Sequence, residues 1–315
     1  YNAYASIEAR LGRLAAARDV YNRGIAARCT DMGSVWHGLA LLEVRMGNVD
    51  AARRLLRKGI VDTKEDVSFL LHSLGCLEMQ CHRPLEARRV FRESLARYPR
   101  SSRLLLGAAL AEVGVGGGKQ GVRLGSNDEA RGFFRRAVQA DKSHAHAWQA
   151  WGVMEFKEGN LDVARGLYEC GLKAAPNHGA LWQAYALLEA SLQNYERARS
   201  LFRNGIRRCP NHVRLHQAWA CMETRAGDLD EAKRLIREAL QKDPHHGAAW
   251  NVYAAVERRL GSVDKARKVY ELGLRADAGH GALYRSYGAM EASLGDLAAA
   301  RAIFERGLAV DPHHA

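Results

Sequence analysis

A glutamate and an arginine recur along this chain at regular spacing, and both could do chemistry. The glutamates are Glu8, Glu43, Glu78, Glu112, Glu155, Glu189, Glu223, Glu257 and Glu291, at intervals of 35, 35, 34, 43, 34, 34, 34 and 34 residues. An Ala–Arg pair follows each one, ending in Arg18, Arg53, Arg88, Arg131, Arg165, Arg199, Arg267 and Arg301, with Lys233 in the seventh place. A carboxylate beside a guanidinium can move a proton or hold a phosphate. A reaction, however, needs its groups at one point, and nine copies of a catalytic acid make no sense. The pair is expected to be a link that fixes helix geometry, and breaking such a pair when buried costs several kcal/mol.

The other chemically capable residues point the same way. Histidines recur at His144, His178, His212, His246, His280 and His314, between one repeat and the next. A zinc site needs ligands converging within about 2 Å of one ion. Repeats stacked a helix diameter apart, about 10 Å, cannot supply that, so these histidines are expected to serve loops or helix caps. Cys29, Cys76, Cys81, Cys170, Cys209 and Cys221 form no CxxC pair, so neither a metal site nor a disulfide framework is indicated, and a reducing compartment fits best. The long interval arises in Gly114–Gly125, where Gly116 to Gly121 matches GxGxxG and a Gly-Lys pair precedes Gln120. No strand precedes it, and Val113 and Gln120 occupy the first Gly and the Ser/Thr positions of the phosphate-loop pattern, so a flexible insertion is expected. Lys119 and Arg123 could reach a ligand from it. No cofactor, no metal and no enzyme activity are expected.

These residues must be positioned by two helices per repeat. Apolar or aromatic residues lie seven and four before the glutamate, as in Trp148/Trp151, Trp182/Tyr185, Trp250/Tyr253 and Tyr284/Tyr287, a spacing that puts both on one helical stripe. A second aromatic often follows the Arg by three, as in Tyr21, Phe91, Phe134, Tyr168, Phe202, Tyr270 and Phe304. The Ala beside the Arg suits close helix contact, where a larger side chain would push the helices apart. Glycines such as Gly12, Gly47 and Gly159 suit helix C-caps, and Pro99, Pro176, Pro210, Pro244 and Pro312 fall between repeats. One repeat cannot bury its stripe alone, so neighbours must stack. The expected fold is all-α: a right-handed superhelical α-solenoid of nine tandem helix-turn-helix repeats, one array over residues 1–315 with an insertion at about 114–125.

Two further columns vary from repeat to repeat. Six residues before the glutamate stand Asn2, His37, His72, Leu106, Gln149, Gln183, Gln217, Asn251 and Arg285. Two after it stand Arg10, Arg45, Gln80, Gly114, Lys157, Ser191, Arg225, Arg259 and Ser293. Amide and imidazole groups can bond base edges, while Arg and Lys neutralise phosphates. The base-facing candidates are therefore Asn2, His37, His72, Gln149, Gln183, Gln217, Asn251 and Arg285, and the phosphate candidates are Arg10, Arg45, Lys157, Arg225 and Arg259. Single-stranded RNA is the expected partner, read at roughly one base per repeat, about nine nucleotides in all.

Composition agrees without choosing among polyanions. The net charge of +12 favours RNA, DNA or acidic protein, and hydrophobic content of 47% supports a real core. No apolar run reaches the roughly 18 residues of a membrane span. There is no initiator Met or targeting segment, and the chain begins inside a motif, so it is expected to be a fragment of a longer protein.

The pattern W-x-x-Y-A-x-x-E, then A-R-x-x-[FY], then Pro, resembles the HAT (half-a-TPR) repeat. Trp182, Tyr185, Glu189, Ala198, Arg199, Phe202 and Pro210 carry every element of it. The match weakens in the third and fourth repeats, where Leu71 and Leu105 replace the first aromatic, and His216 replaces it in the seventh. HAT proteins act in RNA processing. The regular spacing is similar to that of chloroplast HAT proteins that bind and protect the 5′ leader of photosystem II (psbB-type) transcripts. That resemblance implies a non-catalytic, sequence-selective RNA binder of the chloroplast stroma, acting in mRNA stability, processing or translation. The alternative is a protein-interaction scaffold using the same groove, with other RNA-processing proteins or a second copy as partner.

Overall fold

Each repeat folds as two antiparallel helices because its apolar residues return every three to four positions and its turn breaks the run. A computed structural model describes residues 1–114 and 125–310, and every regular element among them is a helix. The chain divides into two compact units, Tyr1–Glu158 and Gly159–Ala315. The first unit holds α1 (Asn2–Arg10), α2 (Leu14–Ala26), α3 (Met32–Arg45), α4 (Val49–Asp62) and α5 (Ser68–Gln80). It continues with α6 (Pro84–Arg97), α7 (Ser102–Val113), α8 (Asn127–Ala140) and α9 (Ala145–Lys157). The second unit holds α10 (Leu161–Ala174), α11 (Gly179–Ser191), α12 (Tyr195–Arg208), α13 (Val213–Ala226) and α14 (Leu229–Lys242). It ends with α15 (Gly247–Arg259), α16 (Val263–Ala276), α17 (Gly281–Ser293) and α18 (Leu297–Val310). The Gly-rich insertion lies almost wholly outside the described residues, and Lys119, Arg123 and His314 lie outside them too.

The turn between the two helices has a fixed chemistry. In every repeat whose turn is described, the residue four after the glutamate is left-handed. Six of these are glycine, but the third and sixth repeats place His82 (φ 55°) and Gln193 (φ 62°) there. The amide one residue further on then donates back to the glutamate carbonyl, as Asn48 does to Glu43 and Asn194 to Glu189. This closes the helix in a Schellman-type cap.

Packing follows the same register in both units. The Ala before each Arg is fully buried from Ala17 through Ala266, which explains why no larger residue stands there. Between repeats, the second-helix aromatic stacks on the next first helix, as in Phe134–Trp151, Phe202–Trp219 and Tyr270–Tyr287. A ring as buried as that of Phe202 contributes about 2–3 kcal/mol by leaving water. Within a repeat, the aromatic seven before the glutamate sits on a second-helix glycine: Trp36 on Gly59, Trp182 on Gly205, Trp250 on Gly273 and Tyr284 on Gly307. Where that aromatic becomes Leu71, Leu105 or His216, the glycine becomes Ser94, Ala137 or Ala239. A smaller side chain leaves room for a larger floor. Within each unit the first helices of successive repeats pack against one another, whereas the second helices stand further apart and meet through long side chains, as in Arg88–Glu129, Arg197–Glu169 and Arg306–Glu271. Each unit is therefore an α-solenoid with its first helices in a continuous inner row.

Candidate nucleic-acid interface

The repeated glutamates do not face solvent. Glu189 and Glu223 are fully buried, and the others are nearly so. From Glu43 onward each is reached by the Arg, or at Glu257 the Lys, of the preceding repeat, so the link expected from the sequence runs between repeats. Arg165 donates to Glu189 at 2.8 and 3.2 Å, and Arg199 donates to Glu223 at 2.8 and 2.7 Å. Such fork-to-fork pairs fix direction as well as distance. The Trp219 indole N–H adds a third bond to Glu223 at 2.7 Å, and the Asn194 amide adds one to Glu189 at 2.9 Å. Burial alone would raise the Glu189 carboxyl, yet the Arg165 and Asn194 hydrogen bonds and the Arg165 charge hold it below the usual range. Where Lys233 replaces Arg, only one bond forms and Glu257 Oε2 has no partner. A point charge cannot do what a fork does.

With its glutamate withdrawn, each first helix has no other acid, since every remaining Asp and Glu lies in a second helix or a connecting segment. Exposed cations remain on the first helices: Arg10, Arg45, Arg103, Lys157, Arg214, Arg225, Arg258, Arg259 and Arg285. None pairs with a carboxylate among the described residues. Of these, Arg103, Arg214 and Arg258 were not singled out by the sequence reading. Arg103 and Arg214 stand nine before their glutamates, outside both columns, and Arg258 stands one after its own.

The predicted columns form one stripe per helix. Residues six before, two before and two after the glutamate stand at i, i+4 and i+8, about 40° apart in turn, and span about 12 Å. In α11 the stripe is Gln183–Leu187–Ser191, in α13 Gln217–Cys221–Arg225 and in α15 Asn251–Ala255–Arg259. The middle position escaped the sequence reading because it is apolar, yet Leu41 and Leu187 there are 53% and 40% exposed. A polar end, an apolar middle and a basic end can meet a base edge, a sugar and a phosphate in order.

The members of the stripe are not equally available. Asn2 and Arg285 are exposed, while His37, His72, Gln149, Gln183, Gln217 and Asn251 are half-buried. Asn2 accepts from the Tyr21 hydroxyl at 3.2 Å, and His37 Nε2 lies 2.8 Å from Ser73 Oγ. His72 sits against Cys76 Sγ and the Phe91 ring. By contrast, Gln149, Gln183, Gln217, Asn251 and Arg285 make no hydrogen bond to another described residue. All five phosphate candidates are exposed. Arg45 donates to the Ala9 carbonyl at 3.0 Å and Arg259 donates to the Thr224 carbonyl, so these two also close the preceding first helix.

The recurring histidines occupy the N-cap positions of α9, α11, α13, α15 and α17, but none caps through its side chain. They pack between repeats instead: His212 covers Gly179 and His280 covers Gly247. Among the described residues no group of three His, Cys, Asp or Glu side chains is placed to hold a metal. Among the described residues no helix is long and apolar enough to cross a membrane.

The PRP39 C-terminal HAT repeat profile matches residues 128–259. The chain is an all-α repeat solenoid whose residues 128–259 carry the match to the HAT repeat. No curated protein sequence matches it. Solved structures share the fold at low identity. Yeast Tom70 is 16% identical with a TM-score of 0.66, over 88% of this chain and 56% of that one. The chain thus spans little more than half the length of Tom70. The human IFIT1 dimer with PPP-AAAA is 14% identical with a TM-score of 0.56, over 98% of this chain and 75% of that one. A tetratricopeptide repeat protein from Parabacteroides merdae is 14% identical with a TM-score of 0.53, over 81% and 97% of the two chains.

Proposed function

We propose that this chain binds single-stranded RNA without catalysis, along the first-helix row. One observation carries the reading: the only acid on each first helix is buried and ion-paired or screened, while exposed cations unpaired with any described carboxylate stand on seven of the nine first helices. A protein groove for a peptide needs a few clustered charges, whereas tracking a strand needs charges spread over many repeats. Arg10, Arg45, Lys157, Arg225 and Arg259 are spread in this way. The free amides of Gln183, Gln217 and Asn251 then select bases. The IFIT1 fold relative is solved with an RNA ligand, so the architecture is compatible with such a partner.

The finer reading rests on the resemblance to chloroplast HAT proteins. The target would be the 5′ leader of an organellar mRNA in the stroma. Occupying it would block an exonuclease and keep the bound segment from pairing with itself, supporting stability, processing or translation. Selection from a randomised RNA pool should return a preferred motif of about eight to ten nucleotides, near one base per repeat. Affinity should fall with salt at a log–log slope of about −0.7 per phosphate contacted. Neutralising the five-residue basic column should abolish binding. A flat salt response with equal affinity for heparin overturns the proposal and favours a protein-interaction scaffold.

A further inference from the structure

The first-helix row leaves one concave feature of the second unit unexplained. Between α10 and α12, on the second-helix side, lies a groove of about 880 Å³, within the usual range for small-ligand sites. It exists because the α10 and α12 backbones stand apart, joined by the Glu169–Arg197 ion pair at 3.2 Å, so the first helix beneath them shows its aromatic pair. Trp182 forms the floor, with its indole N–H fixed on the Pro176 carbonyl at 2.8 Å. Leu172 and Leu201 are the side walls. One end is closed by Tyr185, whose hydroxyl donates to Glu169 at 2.8 Å and whose ring lies under the Arg197 guanidinium.

The polar lining differs from that of an ordinary gap between helices. Asn204 brings an amide to the groove, while Lys173, Arg207 and Arg208 bring three cations. None of the three pairs with a carboxylate among the described residues. In the later repeats of the same unit, the position of Asn204 is taken by Glu238, Leu272 and Arg306, and that of Arg207 by Gln241 in the next repeat. A flat ring floor, apolar walls, an amide and unpaired cations therefore coincide here.

We propose that the α10–α12 groove binds a nucleotide, with the base against Trp182 between Leu172 and Leu201, its edge on Asn204, and the phosphate on Lys173, Arg207 and Arg208. An aromatic face accepts any base by stacking. The amide supplies the donor and acceptor that discriminate among base edges. The same chemistry is offered by a free nucleotide and by the phosphorylated end of an RNA strand. This site stands apart from the first-helix row, so it does not depend on that row reading RNA.

The test is calorimetric titration of the whole chain with adenosine 5′-monophosphate, uridine 5′-monophosphate and inorganic phosphate. A decanucleotide with and without a 5′-phosphate is titrated beside them. Both nucleotides should bind at least tenfold more tightly than phosphate. Arg207→Gln with Arg208→Gln, on exposed side chains, should weaken nucleotide binding at least tenfold without changing helicity. Trp182→Leu should do the same, and Asn204→Ala should level any preference between the two bases. A tenfold preference for the 5′-phosphorylated strand assigns the site to RNA ends, and equal binding of both strands assigns it to free nucleotides. No nucleotide binding, or phosphate binding equally well and unaffected by Trp182→Leu, overturns the proposal. So does an Asp/Glu-rich peptide that binds where the nucleotides do not.

Discussion

In the first three repeats of the first unit, the residue six before the repeated glutamate is engaged by the protein: Asn2 by Tyr21, His37 by Ser73, His72 by Cys76 and Phe91, while Gln149 at the end of that unit is not. In the second unit, Gln183, Gln217, Asn251 and Arg285 occupy the same position and bond to no other described residue. The difference has a packing cause. Phe202 and Tyr270 lie flat against Trp219 and Tyr287 of the following repeat, and so stay away from the polar residue of their own repeat. After Tyr21 and Phe91 the following repeat offers Leu39 and Ala108 instead of a ring. Those rings run on against Gly38 and Gly107, and they meet Asn2 and His72. An aromatic lost in one repeat thus ties up a polar residue in the repeat before it. The second unit is where bases should be read, and the first is expected to hold mainly the backbone of the strand.

The largest effect should come from the links common to both units. Glu189→Ala would strand Arg165 and Asn194 around an emptied buried site, and should cost about 3 kcal/mol in urea unfolding. Glu8→Ala should cost far less, because Glu8 has only Arg13 at 3.6 Å. Equal losses would mean that the inter-repeat pair does not carry the stability assigned to it.

Replacing Gln183, Gln217 and Asn251 together by Ala tests the contrast directly. At about 0.5–1.5 kcal/mol per lost hydrogen bond, RNA affinity should fall by about tenfold at the least and about 2000-fold at the most, with little change in stability. Replacing Asn2, His37 and His72 by Ala should do the reverse, lowering the melting temperature while changing affinity by less than about threefold. If both triple variants weaken RNA equally, the distinction between the units fails.

The repeat was legible because packing rules act on residue types: the Glu–Arg spacing, the aromatic stripe and the small Ala all report helix contacts. The candidate columns were legible as positions. Their availability was not, since whether His72 is free depends on Phe91, whose path depends on Ala108 in the next repeat. The exposed Leu187 was passed over because an apolar residue in a helix reads as core. The groove over Trp182 is made by the gap between α10 and α12, a distance that no residue pattern states.

Acid should separate the two ladders next. Burial pushes the His37 and His72 imidazoles below their ordinary value, with neighbouring Arg103 and histidine charges adding to it at His72. A histidine depressed in the fold takes its proton more readily when unfolded. Its contribution is therefore complete above about pH 6.5 and is lost as pH falls from there toward the lowered folded value. Unfolding midpoints measured from about pH 7.5 down to 5.5 should fall, and His37→Gln with His72→Gln should flatten that decline. The amide ladder of the second unit has no proton to gain. Base preference should therefore be the same at both ends of the range, and a preference that changes with pH would assign reading to the histidines.

The smallest effect concerns the turns within repeats, where each unit has one left-handed residue that is not glycine, His82 in the first and Gln193 in the second; a third such residue, Arg28, stands between repeats. An L-residue there carries about 1 kcal/mol of steric cost, part of which glycine gives back through the freedom of the unfolded chain. His82→Gly and Gln193→Gly should each stabilise by about 0.5 kcal/mol. Both side chains are exposed, and both backbone amides keep their bonds, to Met79 and Ala190. The gain should therefore be the same in either unit, and RNA affinity should not move. Equal gains would show that the units share one scaffold and differ only in what their first helices leave free. A loss of affinity with Gln193→Gly alone would instead place the turn of the sixth repeat in contact with the strand, and widen the interface beyond the first-helix stripe.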